Sequence, residues 1–90
     1  MGLSNLPLAS GKAHAKAFEH LGWTLDTKRR GRGKHLRLTK RGMRATLSIP
    51  DHHEVKRTII AELIKLAKVS EEKYLRAFAG ETFTDDDDLG

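Results

Sequence analysis

Between Trp23 and Ile49, three segments separated by the loop Arg29 to Gly33 and by Arg41-Gly42 alternate apolar and polar residues with a period of two; before and after them, apolar residues recur at helical spacing. Trp23-Thr24-Leu25-Asp26-Thr27-Lys28 predicts a strand with Trp23, Leu25 and Thr27 on one face. Lys34 to Lys40 predicts a second strand and Met43 to Ile49 a third, joined by a tight turn at Arg41-Gly42. Glycine at the second central position suits the positive φ that such turns require. A two-residue turn there pairs Lys40 with Met43, Leu38 with Ala45, Leu36 with Leu47 and Lys34 with Ile49, a mostly apolar set. The alternate set, Thr39 with Arg44, Arg37 with Thr46 and His35 with Ser48, is polar. A slip of one residue would set Leu36 and Leu38 against polar partners. The expected result is a three-stranded antiparallel sheet with one apolar and one cationic face, ended by Pro50, which cannot donate to a ladder.

Helical patterns flank this sheet. Ser10 is a good N-cap for a helix from Gly11 to Leu21, with Ala13, Ala17, Phe18 and Leu21 on one stripe and Gly22 as its stop. His14 and His20 fall on its polar side and are expected at the surface, whereas Phe18 and Trp23 are expected in the core. A second helix is predicted from Glu54 to Lys68, with Asp51 as a candidate cap and a wide apolar face of Val55, Ile59, Ile60, Leu63, Ile64, Leu66 and Ala67. Ser70 caps a third, short helix with Glu71 and Glu72 in its first turn, Tyr74, Leu75 and Phe78 on its inner face, and Gly80 at its end. The order is α-β-β-β-α-α, an α+β fold whose helices cover the apolar face of the sheet. Residues 1–9 are expected to form a loose lead, 10–80 one domain and 81–90 an acidic disordered tail.

Charge sharpens this picture. The chain of 90 residues has room for one core. Five of its 12 acids lie in the last ten residues, so residues 1–80 hold all 17 Lys and Arg against 7 acids, a surplus of 10. From Lys28 to Arg44 there are nine basic residues and no acid. A single-sign block of this kind on strand and loop is an electrostatic footprint for phosphate, and nucleic acid is the expected ligand. The chain has no cysteine, which leaves no disulfide framework or thiolate metal site. With no signal peptide pattern and no run of membrane-spanning length, the expected protein is soluble, cytoplasmic and free of membrane.

Arg29-Arg30-Gly31-Arg32-Gly33-Lys34 runs straight into His35. Strand geometry sets His35 and Arg37 on the open polar face, beside a glycine-containing loop that lets a ligand approach closely. Imidazole is the side chain that titrates nearest neutral pH, so His35 is a candidate general base. The residue types alone leave catalysis and plain binding equally open. Adjacent His52 and His53 next to Asp51 make a poor metal site, because neighbours in sequence rarely ligate one ion together; the segment reads as a loop that caps the second helix, and contact of His52 with RNA is an alternative role. Gly31-Arg32-Gly33 lacks the spacing and the Gly-Lys-Ser/Thr ending of a P-loop, and no RNP-like aromatic signature is present.

Leu21-Gly22-Trp23 after a first helix, Gly33-Lys34-His35 opening a strand, Leu47-Ser48-Ile49-Pro50-Asp51-His52 after the hairpin, and Val69 to Leu75 after the second helix resemble the HicA (YcfA-like) mRNA interferase toxins of type II toxin–antitoxin systems. The resemblance spans Ser10 to Phe78. Lys34 stands where that family has a small hydroxyl residue, and Asp51 where it has an apolar one before His52. The resemblance implies a double-stranded-RNA-binding-like fold and a metal-independent endoribonuclease, monomeric when free, that needs no cofactor, cleaves mRNA and halts translation. By position, His35 is the implied catalytic residue. Lys28, Arg29, Arg30, Arg32, Lys34, Arg37, Arg44 and His52 are the expected RNA contacts. A HicB-like antitoxin is the implied protein partner, and a non-catalytic RNA-binding module on the same fold is the alternative.

Overall fold

The computed structural model describes residues 5–26 and 35–83. The elements follow the predicted order: α1 (Gly11–His20), β1 (Thr24–Leu25), β2 (His35–Thr39), β3 (Leu47–Pro50), α2 (Arg57–Ala67) and α3 (Glu71–Phe78). Among the described residues the sheet is antiparallel with strand order β1-β2-β3. Helices α1 and α2 pack on one face of it and α3 packs on α1, an arrangement compatible with the expected double-stranded-RNA-binding-like fold. Ser10 caps α1 by accepting from the Ala13 amide at 3.1 Å, and Ser70 caps α3 by accepting from the Lys73 amide at 3.0 Å. No helix among the described residues is long and apolar enough to cross a membrane.

The hairpin register differs from the expected one. Leu38 pairs with Leu47 and Leu36 with Ile49, two residues beyond the positions that a tight two-residue hairpin would give. The turn does fall at Arg41-Gly42, closed by the Met43 amide donating to the Lys40 carbonyl at 3.0 Å. Gly42 takes φ +84, but Arg41 does not adopt positive φ. A turn with one left-handed residue lacks the twist that keeps hairpin strands together, so the strands splay and the ladder resumes only at Leu47. The third strand is therefore shorter at its start than predicted, and Pro50 belongs to it. Because the slip is even, every residue keeps its face. Leu38, Leu47 and Ile49 are fully buried, while His35, Arg37, Thr39 and Ser48 are exposed.

Helix α2 starts three residues later than expected, at Arg57, and Asp51 does not cap it. The chain before it is occupied elsewhere: Val55 is buried in the core and its amide donates to the Ala9 carbonyl at 2.9 Å. The N-terminal lead, expected to be loose, is tied down where it is described. Leu6 is a core residue and its carbonyl accepts from Arg57 Nε at 2.6 Å. Residues 81–83, assigned to the tail, fold back as well: the Phe83 amide donates to the His20 carbonyl at 2.7 Å. The Phe83 ring lies 5.0 Å from Lys73 Nζ and 5.4 Å from Arg76 Cζ, within cation–π range. The acidic run Asp85 to Asp88 lies outside the described residues.

His14 corrects the expectation most. It is completely buried, and its Nδ1 shares a 2.5 Å hydrogen bond with the Tyr74 hydroxyl. Tyr74 of α3 stacks on the imidazole and Phe78 packs against it at a tilt. His20 is half-buried and bonds the Ala77 carbonyl through Nδ1 at 3.0 Å, which requires the Nδ1–H form. The cause is α3, which covers the flank of α1 that would otherwise meet solvent. His14 Nε2 is buried with no hydrogen-bond partner among the described residues. Burial lowers the His14 pKa to about 4, against a smaller opposing effect from the Pro7 backbone, and pushes the Tyr74 hydroxyl above the usual tyrosine range.

This pair sets an acid limit on the fold. Below the ordinary histidine value the unfolded chain takes up a proton that folded His14 refuses until the pH nears 4. Stability is thus fully present above pH 6.5 and declines as the pH falls from 6.5 to about 4, a loss of about 3 kcal/mol. Urea unfolding at pH 7 and pH 4.5 is expected to show most of this decline in the wild type and much less of it in His14→Gln.

Candidate functional site

Two constraints build the candidate site: the alternation of β2 and the junction of α1 with the loop after β3. His35 opens β2 directly opposite Pro50, and Arg37 lies opposite Ser48. Both side chains are exposed on the open face, because Leu36 and Leu38, which alternate with them, turn into the core. At the outer edge, the Asp26 amide donates to the Arg37 carbonyl at 2.8 Å, which holds β1 alongside β2 beyond its last paired residue.

Of the other residues expected to contact RNA, Lys28, Arg29, Arg30, Arg32 and Lys34 lie outside the described residues. Arg44 is not beside His35. It is exposed in the segment between turn and strand, where it lines a small cleft with Gly42, Met43, Ala45, Lys65, Leu66 and Lys68. The length of β2, roughly 13 Å at strand rise, separates His35 from that end. His52 lies at the near end, two residues past the strand partner of His35.

The loop that carries His52 is pressed against the start of α1. The Gly11 amide donates to the His52 carbonyl at 3.0 Å, and a Cβ at residue 11 would stand 2.0 Å from the Pro50 carbonyl oxygen. Residue 11 is buried and must be glycine for the two segments to approach this closely. The contact forms a cleft of about 400 Å³ lined by Ser10, Lys12, Asp51, His52 and His53. His52, His53 and Lys12 are exposed. Among the described residues no group of three or more potential ligands has the arrangement to hold a metal ion.

Lys12 escapes sequence reasoning. Nothing in its helical position distinguishes it from any other surface lysine, and it joins the end of the sheet that carries His52 only through the Gly11 contact. The one local signal is Gly11 itself. Glycine weakens a helix, so its presence in the first turn hints at a close approach.

The model of the family described as HicA toxin of bacterial toxin-antitoxin matches residues 11–69, more than half of the chain. The match takes in His35, Arg37, Arg44, His52 and the Gly11 junction, and ends just before α3. No curated protein matches the chain. No solved structure matches it either.

The Gly11 junction makes a direct prediction. Gly11→Ala forces a shift of backbone against backbone, which is expected to cost roughly 1–3 kcal/mol as overpacking does. Thermal unfolding measures the cost, and amide chemical shifts are expected to move at residues 50–53 as well as in the first turn of α1.

Proposed function

The chain belongs to the HicA toxin family of bacterial toxin–antitoxin systems, and from that premise we propose that it is an endoribonuclease that cleaves mRNA without a metal ion, using His35. Membership of the family implies an antitoxin partner. In this reading the partner is a HicB-type protein that covers the cationic face, and the released toxin acts on mRNA in the cytoplasm to stop translation and growth.

The observation that carries the reading is the exposed imidazole of His35 on the sheet face left open by the helices, with Arg37 next to it on the same face. In the proposed step His35 removes the proton of a ribose 2′-hydroxyl, and the 2′-oxygen attacks the adjacent phosphorus. The P–O5′ bond breaks, leaving a 2′,3′-cyclic phosphate and a 5′-oxygen that must take up a proton. Arg37 and the basic residues Lys28, Arg29, Arg30, Arg32 and Lys34 hold the phosphate and offset the charge that builds on its oxygens. His52 contacts the RNA beside His35, and Arg44 contacts it farther along the strand. All of this chemistry is proton transfer and charge stabilisation, which side chains supply by themselves.

The test compares wild type with His35→Ala on RNA in EDTA. Cleavage by the wild type is expected to persist, and the variant is expected to lose about 10²–10⁴-fold in rate while still binding RNA. RNA that survives equally with both proteins, bound by both, would leave an RNA-binding module. Binding is expected to weaken with salt, and Arg37→Ala to reduce the slope of log K against log[salt] by about 1. Induced expression of the wild type is expected to arrest growth, and expression of His35→Ala to permit it.

A further inference from the structure

In an in-line displacement the departing 5′-oxygen leaves on the side of phosphorus opposite the attacking 2′-oxygen, out of reach of the imidazole that takes the 2′-proton, so the reading above leaves that oxygen without a donor. We infer that His52 is the second acid–base group of the site: its imidazolium protonates the 5′-oxygen as the P–O5′ bond breaks. This inference rests on the nuclease reading of His35 and extends it.

The sheet register and the α1 junction carry the argument. Directly paired strand residues have Cα atoms about 4.5–5.5 Å apart, and His35 is directly paired with Pro50. Two further residues of chain add at most about 7 Å, so the Cα atoms of His35 and His52 lie within roughly 12 Å of each other. Side chains rooted that close can stand on either side of one phosphodiester. Both are exposed. The remaining histidines are less suited. His14 is buried against Tyr74, and His20 is committed to the Ala77 carbonyl. His53 lies one residue farther from the strand pair.

The backbone of His52 is also held in place, which a catalytic group needs. The Gly11 amide grips its carbonyl, and the close packing of Gly11 on Pro50 fixes the path of the loop. Gly11 is thereby a positioning residue. The charged and titratable groups that share the cleft with His52 are Lys12, Asp51 and His53. Lys12 brings positive charge from α1 to the cleft that holds His52. The proton inventory balances: one proton passes from the 2′-hydroxyl to His35, and one from His52 to the 5′-oxygen. Each histidine ends in the state in which the other began, so exchange with water restores the pair.

A change of leaving group tests the assignment. A short RNA cleaved by the wild type is compared with the same RNA carrying sulfur in place of the bridging 5′-oxygen at the cleavage position. A thiolate departs without a proton. His52→Gln is expected to lose about 10²–10⁴-fold in kcat on the oxygen substrate and to recover most of that loss on the sulfur substrate. His35→Ala is expected to remain impaired on both, and His53→Gln to behave like the wild type. The rate profile of the wild type against pH is expected to be bell-shaped, and that of His52→Gln to lose its alkaline limb. The substitution at the exposed His52 keeps the backbone carbonyl that Gly11 binds, so the fold stays intact. An active wild type with His52→Gln at full rate on the oxygen substrate overturns the assignment, as does equal impairment on both substrates. A wild type that cleaves neither substrate overturns the nuclease reading itself.

Discussion

A β-strand can hide only every second side chain, and the rest of this protein depends on which ones β2 and β3 hide. Leu38, Leu47 and Ile49 are sealed beneath α1 and α2. The residues between them, His35, Arg37, Thr39 and Ser48, are then left on the outside with no further design needed. The hydrophobic gain from burying the apolar row holds the polar row, with His35 and Arg37, in the open. Moving His35 to the core side would require an odd slip of the hairpin, which would expose the leucines. The candidate chemistry is thus held in place by residues that never touch a ligand.

A second constraint joins the sheet to the first helix. Gly11 lets α1 approach the Pro50 carbonyl closely enough for its own amide to bond His52. One missing Cβ therefore links the end of β3, the loop after it and the basic first turn of α1. Through that link the open face does not stop at the edge of the sheet but continues around its end, where His35, His52 and Lys12 come from three different parts of the chain.

The third helix lies beyond the family match; it packs on α1, and its Tyr74 and Ala77 join the same core as the sheet. Its main anchors are the Tyr74 hydroxyl on His14, the Ala77 carbonyl on His20, and the return of Phe83 to the His20 carbonyl. These bury an imidazole that lacks a partner at Nε2, so the helix adds packing to α1 and makes it sensitive to acid. The exposed pair of Arg76 with Glu81 has bidentate geometry, with contacts of 2.7 and 3.0 Å, yet in water a pair of this kind adds little. The aromatic packing of Tyr74 against Phe18 and His14 is what holds α3 in place.

Local rules of chain geometry were enough to determine the element order, the serine caps of α1 and α3, and the two faces of the sheet. The faces were legible even with the register wrong, because an offset of two residues leaves every side chain on its own side. The register itself was decided by the backbone of Arg41, whose φ the sequence does not reveal, and the true start of α2 by the docking of Val55 beneath Ala9. The burial of His14 was not legible: a histidine reads as polar and was placed on the surface side of α1, and only the docking of α3 covers it. His35 stood out by its place in an alternating strand beside a basic loop. Its relation to His52 and Lys12 did not, because a strand pair and a helix–loop contact bring them to one end of the domain across 17 and 23 residues of chain, respectively. Periodicity and capping act over a few residues and can be read in order; contacts between distant segments depend on how whole elements pack, and only the tertiary structure decides them.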